Sequence, residues 1–390
     1  MALVLVFSIT LLWAVLLSSH AQRTVLSTAV LFLLAGLLLG WGVFGAVPAA
    51  HSGLLQITAE LALFSVLFTD GMRTQGLRAL RAMSPLLARV LALGLPATLV
   101  ALALLARWLL GLPWLYAFLL GAVLSPTDPV FISAILEQRA VPGLLRSVLN
   151  FESGINDGLV LPVVLLLLAP LNGSGPGLGS VGADLVLGLA LGVALPWLAV
   201  WLETRPYFGA VGIYEPLNGF AIGLLVLAVC LSLRVNFFLA AFAAGLTVTT
   251  INTPVRDSFA HFGEFVTELL KCAALLIFGL RLAPDVFLPL SGREWIVIVA
   301  GLFGVRLLVL PACLWRSALP ARDRWIAGWF GPKGFASVVY GLMILRLGTP
   351  VSQRVAHLVG VTILISIVLY SSTDIFVARW YAARHPPARA

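Results

Sequence analysis

The chain has 390 residues, of which 61% are hydrophobic and only 10% charged, and its mean hydropathy is +1.07. Soluble domains carry about 25% charged residues, so a water-soluble globular domain and a disordered chain are both excluded. Three cysteines make no disulfide framework. The net charge of +8 lies on arginines spread among short loops, which marks topology in a membrane protein and not a nucleic-acid surface. What remains is an all-α polytopic membrane protein.

Apolar runs of about 20 residues recur along the chain, near 2–18, 24–43, 53–70, 85–107, 112–136, 149–170, 183–202, 213–232, 236–251, 261–280, 293–315, 325–346 and 356–379. Thirteen such spans use roughly 260 positions and leave only short loops, with no room for an extramembrane domain. The glycine-rich stretch 172–180 is a connector. No positive residue precedes the first run, so it is read as a span and not as a signal peptide. Loops after odd-numbered spans, with the C-terminal tail, carry 14 arginines, and loops after even-numbered spans carry 6. The positive-inside rule then predicts an outside N-terminus and a cytoplasmic C-terminus; the compact loops and the lack of a targeting extension point to a cell (inner) membrane.

Thirteen spans divide into six, one and six, so the second six-span unit starts on the opposite face: two inverted repeats. The fifth span of each half is interrupted. Ser125-Pro-Thr-Asp-Pro129 breaks one, and Gly331-Pro-Lys-Gly334 breaks the other. The prolines lack an amide hydrogen and leave carbonyls unpaired, and a residue before proline is pushed out of the helical region. Freed backbone groups at membrane depth need protein or a water-filled cavity around them. Paired breaks are therefore the best sequence pointer to a transport site.

An ionised side chain near the bilayer centre costs about 2.5–3.5 kcal/mol. At about 1.5 Å per residue, Asp128, Asp157 and Lys333 each fall about 12 Å from the inner end of their spans, and Arg306 about 14 Å. In Asn150-Phe-Glu-Ser-Gly-Ile-Asn-Asp157, residues four apart share a face. Ser153 and Asp157 form one row, Glu152 and Asn156 the next, and Gly154 and Gly158 a slot for a neighbouring helix. Assigning the first row to the broken segment surrounds a small cage with Thr127, Asp128, Ser153 and Asp157. Its donors are all oxygen, which suits hard cations and not zinc or copper. No histidine is near, the three cysteines read as packing, and no cofactor is expected. Crowded buried carboxylates repel, and either a proton or a monovalent cation relieves that repulsion. Competition between the two for one site is a complete exchange mechanism.

Arg306 is the favoured partner of Glu152 because guanidinium forks to carboxylate; Lys333 is the alternative, or else compensates the broken helix ends. Glu60 is read as a scaffold ion pair, Glu264, Glu268 and Lys271 as in-helix pairs, and Asp374 as facing water or a loop arginine.

Thr127-Asp-Pro129 followed by Glu152-Ser-Gly-Ile-Asn-Asp157 resembles the paired signatures of NhaP-type sodium/proton antiporters, in the same superfamily as the animal sodium/proton exchangers. Leu67-Phe-Thr-Asp-Gly71, the segment Asn236–Gly245, Leu276-Ile-Phe-Gly-Leu280 and Gly331-Pro-Lys-Gly334 fit the same pattern. The resemblance implies exchange of Na+ or Li+ for H+ by a homodimer in the membrane. It implies a dimerisation scaffold (1–80 and 181–285) and a mobile ion-binding core (81–180 and 286–390). The cation would be held at Thr127, Asp128, Ser153 and Asp157, supported by Glu152, Asn156, Arg306 and Lys333. Asn156 before Asp157 implies electroneutral one-for-one exchange. Lys333 departs from the arginine common at its position and puts that stoichiometry in question. The chain lacks the long cytoplasmic regulatory tail of the animal exchangers, so regulation through one is not expected. The rival readings are a K+/H+ antiporter, a cation channel and an intramembrane aspartyl protease.

Overall fold

The computed structural model describes residues 2–17, 28–42, 52–73, 85–172, 178–203, 205, 207–208, 214–251, 253–283 and 289–384. His20, His51, His385, Arg23, Arg78, Arg81, Arg389 and most of the glycine-rich connector lie outside them. Among the described residues all regular structure is helical. The helices are α1 (Ala2–Leu16), α2 (Thr28–Gly40), α3 (Ser52–Arg73), α4 (Pro85–Leu110), α5 (Trp114–Leu124), α6 (Ser133–Glu137), α7 (Gly143–Leu168), α8 (Leu178–Glu203), α9 (Glu215–Leu233), α10 (Phe237–Ile251), α11 (Thr253–Leu282), α12 (Gly292–Cys313), α13 (Ala321–Trp329), α14 (Phe335–Leu345) and α15 (Pro350–Arg384). Six of them, α4, α7, α8, α9, α12 and α15, are long and apolar enough to cross a membrane. Many of their exposed side chains are apolar, as at Trp108, Val186, Leu308 and Phe376, which suits a lipid-facing surface.

Both expected interruptions are present. Residues 125–128 are non-helical between α5 and a 3-10 turn, Pro129–Ile132, that leads into α6. Residues 330–334 are non-helical between α13 and α14. Pro162, Pro196 and Pro311, in contrast, sit inside continuous helices. Several expected boundaries move, and the one that bears on the site is the start of α7, at Gly143, six residues before the apolar run. Hydropathy marks the apolar part of a helix, and this helix runs past it through Arg146. The depth assigned to Asp157 from a start at 149 is therefore corrected: at 1.5 Å per residue it lies about 21 Å from the helix start.

The chain divides into two compact units, residues 1–55, 85–156 and 272–390, and residues 56–84 and 157–271. In the first, small residues let backbones approach. A methyl group at Gly36 of α2 would lie 2.1 Å from the Leu276 carbonyl of α11, and one at Gly279 of α11 would lie 2.4 Å from the Leu33 carbonyl of α2. Helix α15 is fastened near both ends. Arg354 Nη2 donates to Glu294 Oε2 at 2.6 Å, and Glu294 also closes the capping box of α12 with Ser291. At the other end Tyr381 Oη donates to Asp323 Oδ1 of α13 at 2.8 Å.

The second unit joins α8 and α9 to α10, and α10 to α3. Thr249 Oγ1 donates to the Met72 carbonyl at 2.7 Å, and Thr267 of α11 hydrogen-bonds Ser65 and Thr69 of α3 at 2.7 and 2.8 Å.

Candidate ion-binding site

The two interruptions meet in the first unit. The Asp128 N–H donates to the Pro332 carbonyl at 3.0 Å. The Phe335 N–H, at the start of α14, donates to Asp128 Oδ2 at 3.0 Å. Each break thus satisfies backbone groups freed by the other, and the Asp128 carboxylate occupies the positive end of a half-helix. Gly334 permits this contact, because a methyl group there would lie 1.9 Å from Asp128 Cβ. Asp128 is 5% exposed.

Beside it, Thr127 Oγ1 and Ser153 Oγ are 3.0 Å apart. Asn156 Nδ2 donates to Thr127 Oγ1 at 2.9 Å and to the Thr127 carbonyl at 3.3 Å. Helix α7 therefore grips the broken segment through residues from both of its expected rows. Asn156, placed by sequence in the supporting network, touches Thr127 directly, while its own Oδ1 is buried without a hydrogen-bond partner among the described residues. Asp157 is buried and follows Ser153 by one helical turn. The boundary between the two compact units falls between Asn156 and Asp157.

The next layer is ionic. Arg306 Nη1 and Nη2 donate to Glu152 Oε1 and Oε2 at 2.5 and 2.9 Å, both side chains buried. The guanidinium also reaches the Ala327 carbonyl of α13 at 3.5 Å. A methyl group at Gly331 would lie 2.3 Å from Arg306 Cδ, so the second break passes against the arginine stem. Lys333 is fully buried; its N–H donates to Ser366 Oγ of α15 at 2.7 Å. Its ammonium has no hydrogen-bond partner among the described residues. The structure thus joins Thr127, Ser153 and Asn156, joins Asp128 to the opposite break, and pairs Glu152 with Arg306. It does not pair Lys333 with Glu152.

Asp374 corrects its expectation. It is buried, 4% exposed, no arginine pairs with it among the described residues, and its Oδ2 accepts the Ala134 N–H of α6 at 3.2 Å. Also unread from sequence are Ser366 and Tyr370, whose hydroxyls meet the Lys333 N–H and the Leu302 carbonyl. The available signal is their spacing: Thr362, Ser366, Tyr370 and Asp374 recur every four residues along the helix.

Half-helices that stop in mid-span and exchange backbone groups around buried charges define the broken-helix class of membrane transporter folds. The sequence model described as "Sodium/hydrogen exchanger, transmembrane" matches residues 6–379, and the chain belongs to that family, one of transporters and not enzymes. It is 27% identical over 394 residues to a protein of Shewanella sp. (strain MR-4) named K(+)/H(+) antiporter NhaP2, covering 96% of this chain and 66% of that protein. The Na(+)/H(+) antiporter NhaP of Pseudomonas aeruginosa is 28% identical over 302 residues, covering 70% of this chain and 68% of the relative. The chain thus spans just under two thirds of the length of the Shewanella relative. The solved structure of the sodium proton antiporter MjNhaP1 from Methanocaldococcus jannaschii superposes with a TM-score of 0.74 at 16% identity, covering 100% of this chain and 99% of that one. The likeness shows that the two share a fold.

Proposed function

We propose that this chain exchanges Na+ or Li+ for H+ across a cell membrane by alternating access, one cation for one proton. The observation that carries the reading is the Asp128 carboxylate, buried where two broken helices exchange backbone groups. Thr127, Ser153 and Asn156 stand beside it and supply further oxygen. A dehydrated alkali cation needs such oxygen donors, and a proton neutralises the same carboxylate. The two substrates therefore exclude each other. Asp157, one turn beyond Ser153, is the second carboxylate of the binding reaction; Glu152, Asn156, Arg306 and Lys333 hold the surrounding charges in place.

The scaffold of 1–80 and 181–285, the mobile core of 81–180 and 286–390, assembly as a homodimer, an outside N-terminus and a cytoplasmic C-terminus belong to the same proposal. Compact units group residues by packing, whereas scaffold and core are separated by motion, so one division does not fix the other. Potassium as the exchanged cation is the second reading, favoured by the name of the Shewanella relative.

The test is purified protein in liposomes under an imposed pH gradient, read with a pH dye. Adding Na+, Li+ or K+ separately is expected to dissipate the gradient for the true substrate, and choline is expected to leave it. Asp128→Asn and Asp157→Asn are each expected to abolish the response while the protein still inserts. Normal exchange by Asp157→Asn would overturn the reading.

A further inference from the structure

Helix α15 carries a buried polar row that the exchange reaction leaves unused. Thr362, Ser366, Tyr370 and Asp374 lie four residues apart, so they share one face, and all are buried, Asp374 being 4% exposed and the other three 0%. One part of the row meets the Lys333 N–H through Ser366. Asp374, eight residues further, lies about 12 Å along the axis. Its Oδ2 caps Ala134, and Ala134 follows Asp128 through the single 3-10 turn Pro129–Ile132. The second break therefore meets the row at Ser366, and the first meets it at Asp374.

Asp374 is not fully satisfied. Its Oδ1 has no hydrogen-bond partner among the described residues, and neither does the hydroxyl of Ser371, one turn before it and also buried. A buried carboxylate with one oxygen left without a hydrogen-bond partner is costly as a bare anion. The elements packed on α15 bring Glu137 on α6, Arg306 on α12, Lys333 before α14 and Tyr340 on α14, while α15 itself adds Tyr370, Arg379 and Tyr381. Arg306 is taken by Glu152. None of these groups supplies a hydrogen bond to Oδ1. A cap alone has no need of a titratable group: an asparagine oxygen accepts an N–H equally well.

We infer that Asp374, flanked by Ser371, is a proton-binding station that serves the Asp128 site from the C-terminal end of α15. It binds a proton at one stage of the cycle and returns to carboxylate when that proton leaves towards the breaks. This rests on the exchange reading above. In liposomes, Asp374→Asn keeps the cap on Ala134 and removes only the titration. Its exchange rate is expected to fall on the order of tenfold or more and its pH profile to lose one limb, with the half-saturating cation concentration unchanged. A variant with wild-type rate and pH profile would reduce Asp374 to a cap and overturn the inference. An independent readout uses the wild-type protein. A carbodiimide that reacts with protonated carboxyl groups is expected to label Asp374 increasingly as pH falls, scored by peptide mass spectrometry. Absence of label there at every pH would equally overturn it. Labelling needs no transport, so a wild type that exchanges nothing sinks the exchange reading alone and leaves Asp374 testable.

Discussion

At the scale of single residues, the Glu152–Arg306 pair shows why buried charges come in matched geometry. Both hydrogen bonds of the fork are made, and each side chain is 4% exposed. The pair contributes little net stability against apolar replacements, but removing one partner strands the other and costs about 3–5 kcal/mol. Arg306→Ala is therefore expected to lower the melting temperature of the detergent-solubilised protein sharply. The double replacement Glu152→Gln with Arg306→Met is expected to recover much of the loss. Equal melting of Arg306→Ala and wild type would show that the fork does not hold α7 to α12.

At the scale of elements, the contact between the breaks depends on the absence of a side chain at Gly334. A methyl group there would overlap Asp128 Cβ, and Asp128 is fixed on both sides by Pro332 and Phe335. Gly334→Ala is expected to move the carboxylate and cut cation affinity by about tenfold or more, roughly 1.4 kcal/mol, with the protein still folded. Unchanged affinity would mean that the carboxylate does not bind the cation from this position. These breaks were legible because proline and glycine act through the backbone, and the Glu152–Arg306 pair because charge is rare in apolar helices. Other features left weaker marks. The start of α7 is hidden because Arg146 and Ser147 interrupt the apolar pattern in its first turns. The π-helical segments Val90–Gly94 and Ala300–Gly304, the second ending two residues before Arg306, have no residue signature of their own. Asp374 was misread because Ser, Thr and Tyr are unremarkable singly in a membrane helix, and the row appears only at a four-residue spacing.

At the scale of the whole molecule, the buried charges bear on stoichiometry. Among the buried charged groups, those assigned to the ion site and its support are three carboxylates, Asp128, Glu152 and Asp157, and two cations, Arg306 and Lys333. If all are ionised, one negative charge remains, which one alkali cation or one proton cancels. Both loaded forms then cross with the same net charge, and the membrane potential does no work on either. Liposomes clamped at different potentials with potassium and valinomycin, and assayed with Na+, are expected to exchange at the same rate. Lys333 is the condition on this balance. Its ammonium is buried without a hydrogen-bond partner among the described residues, and a lysine can lose its proton where an arginine effectively cannot. Lys333→Arg fixes the charge permanently, so it is expected to leave exchange insensitive to potential. Faster wild-type exchange under a potential, abolished in Lys333→Arg, would instead show that Lys333 carries a proton in each cycle and that the transporter moves net charge.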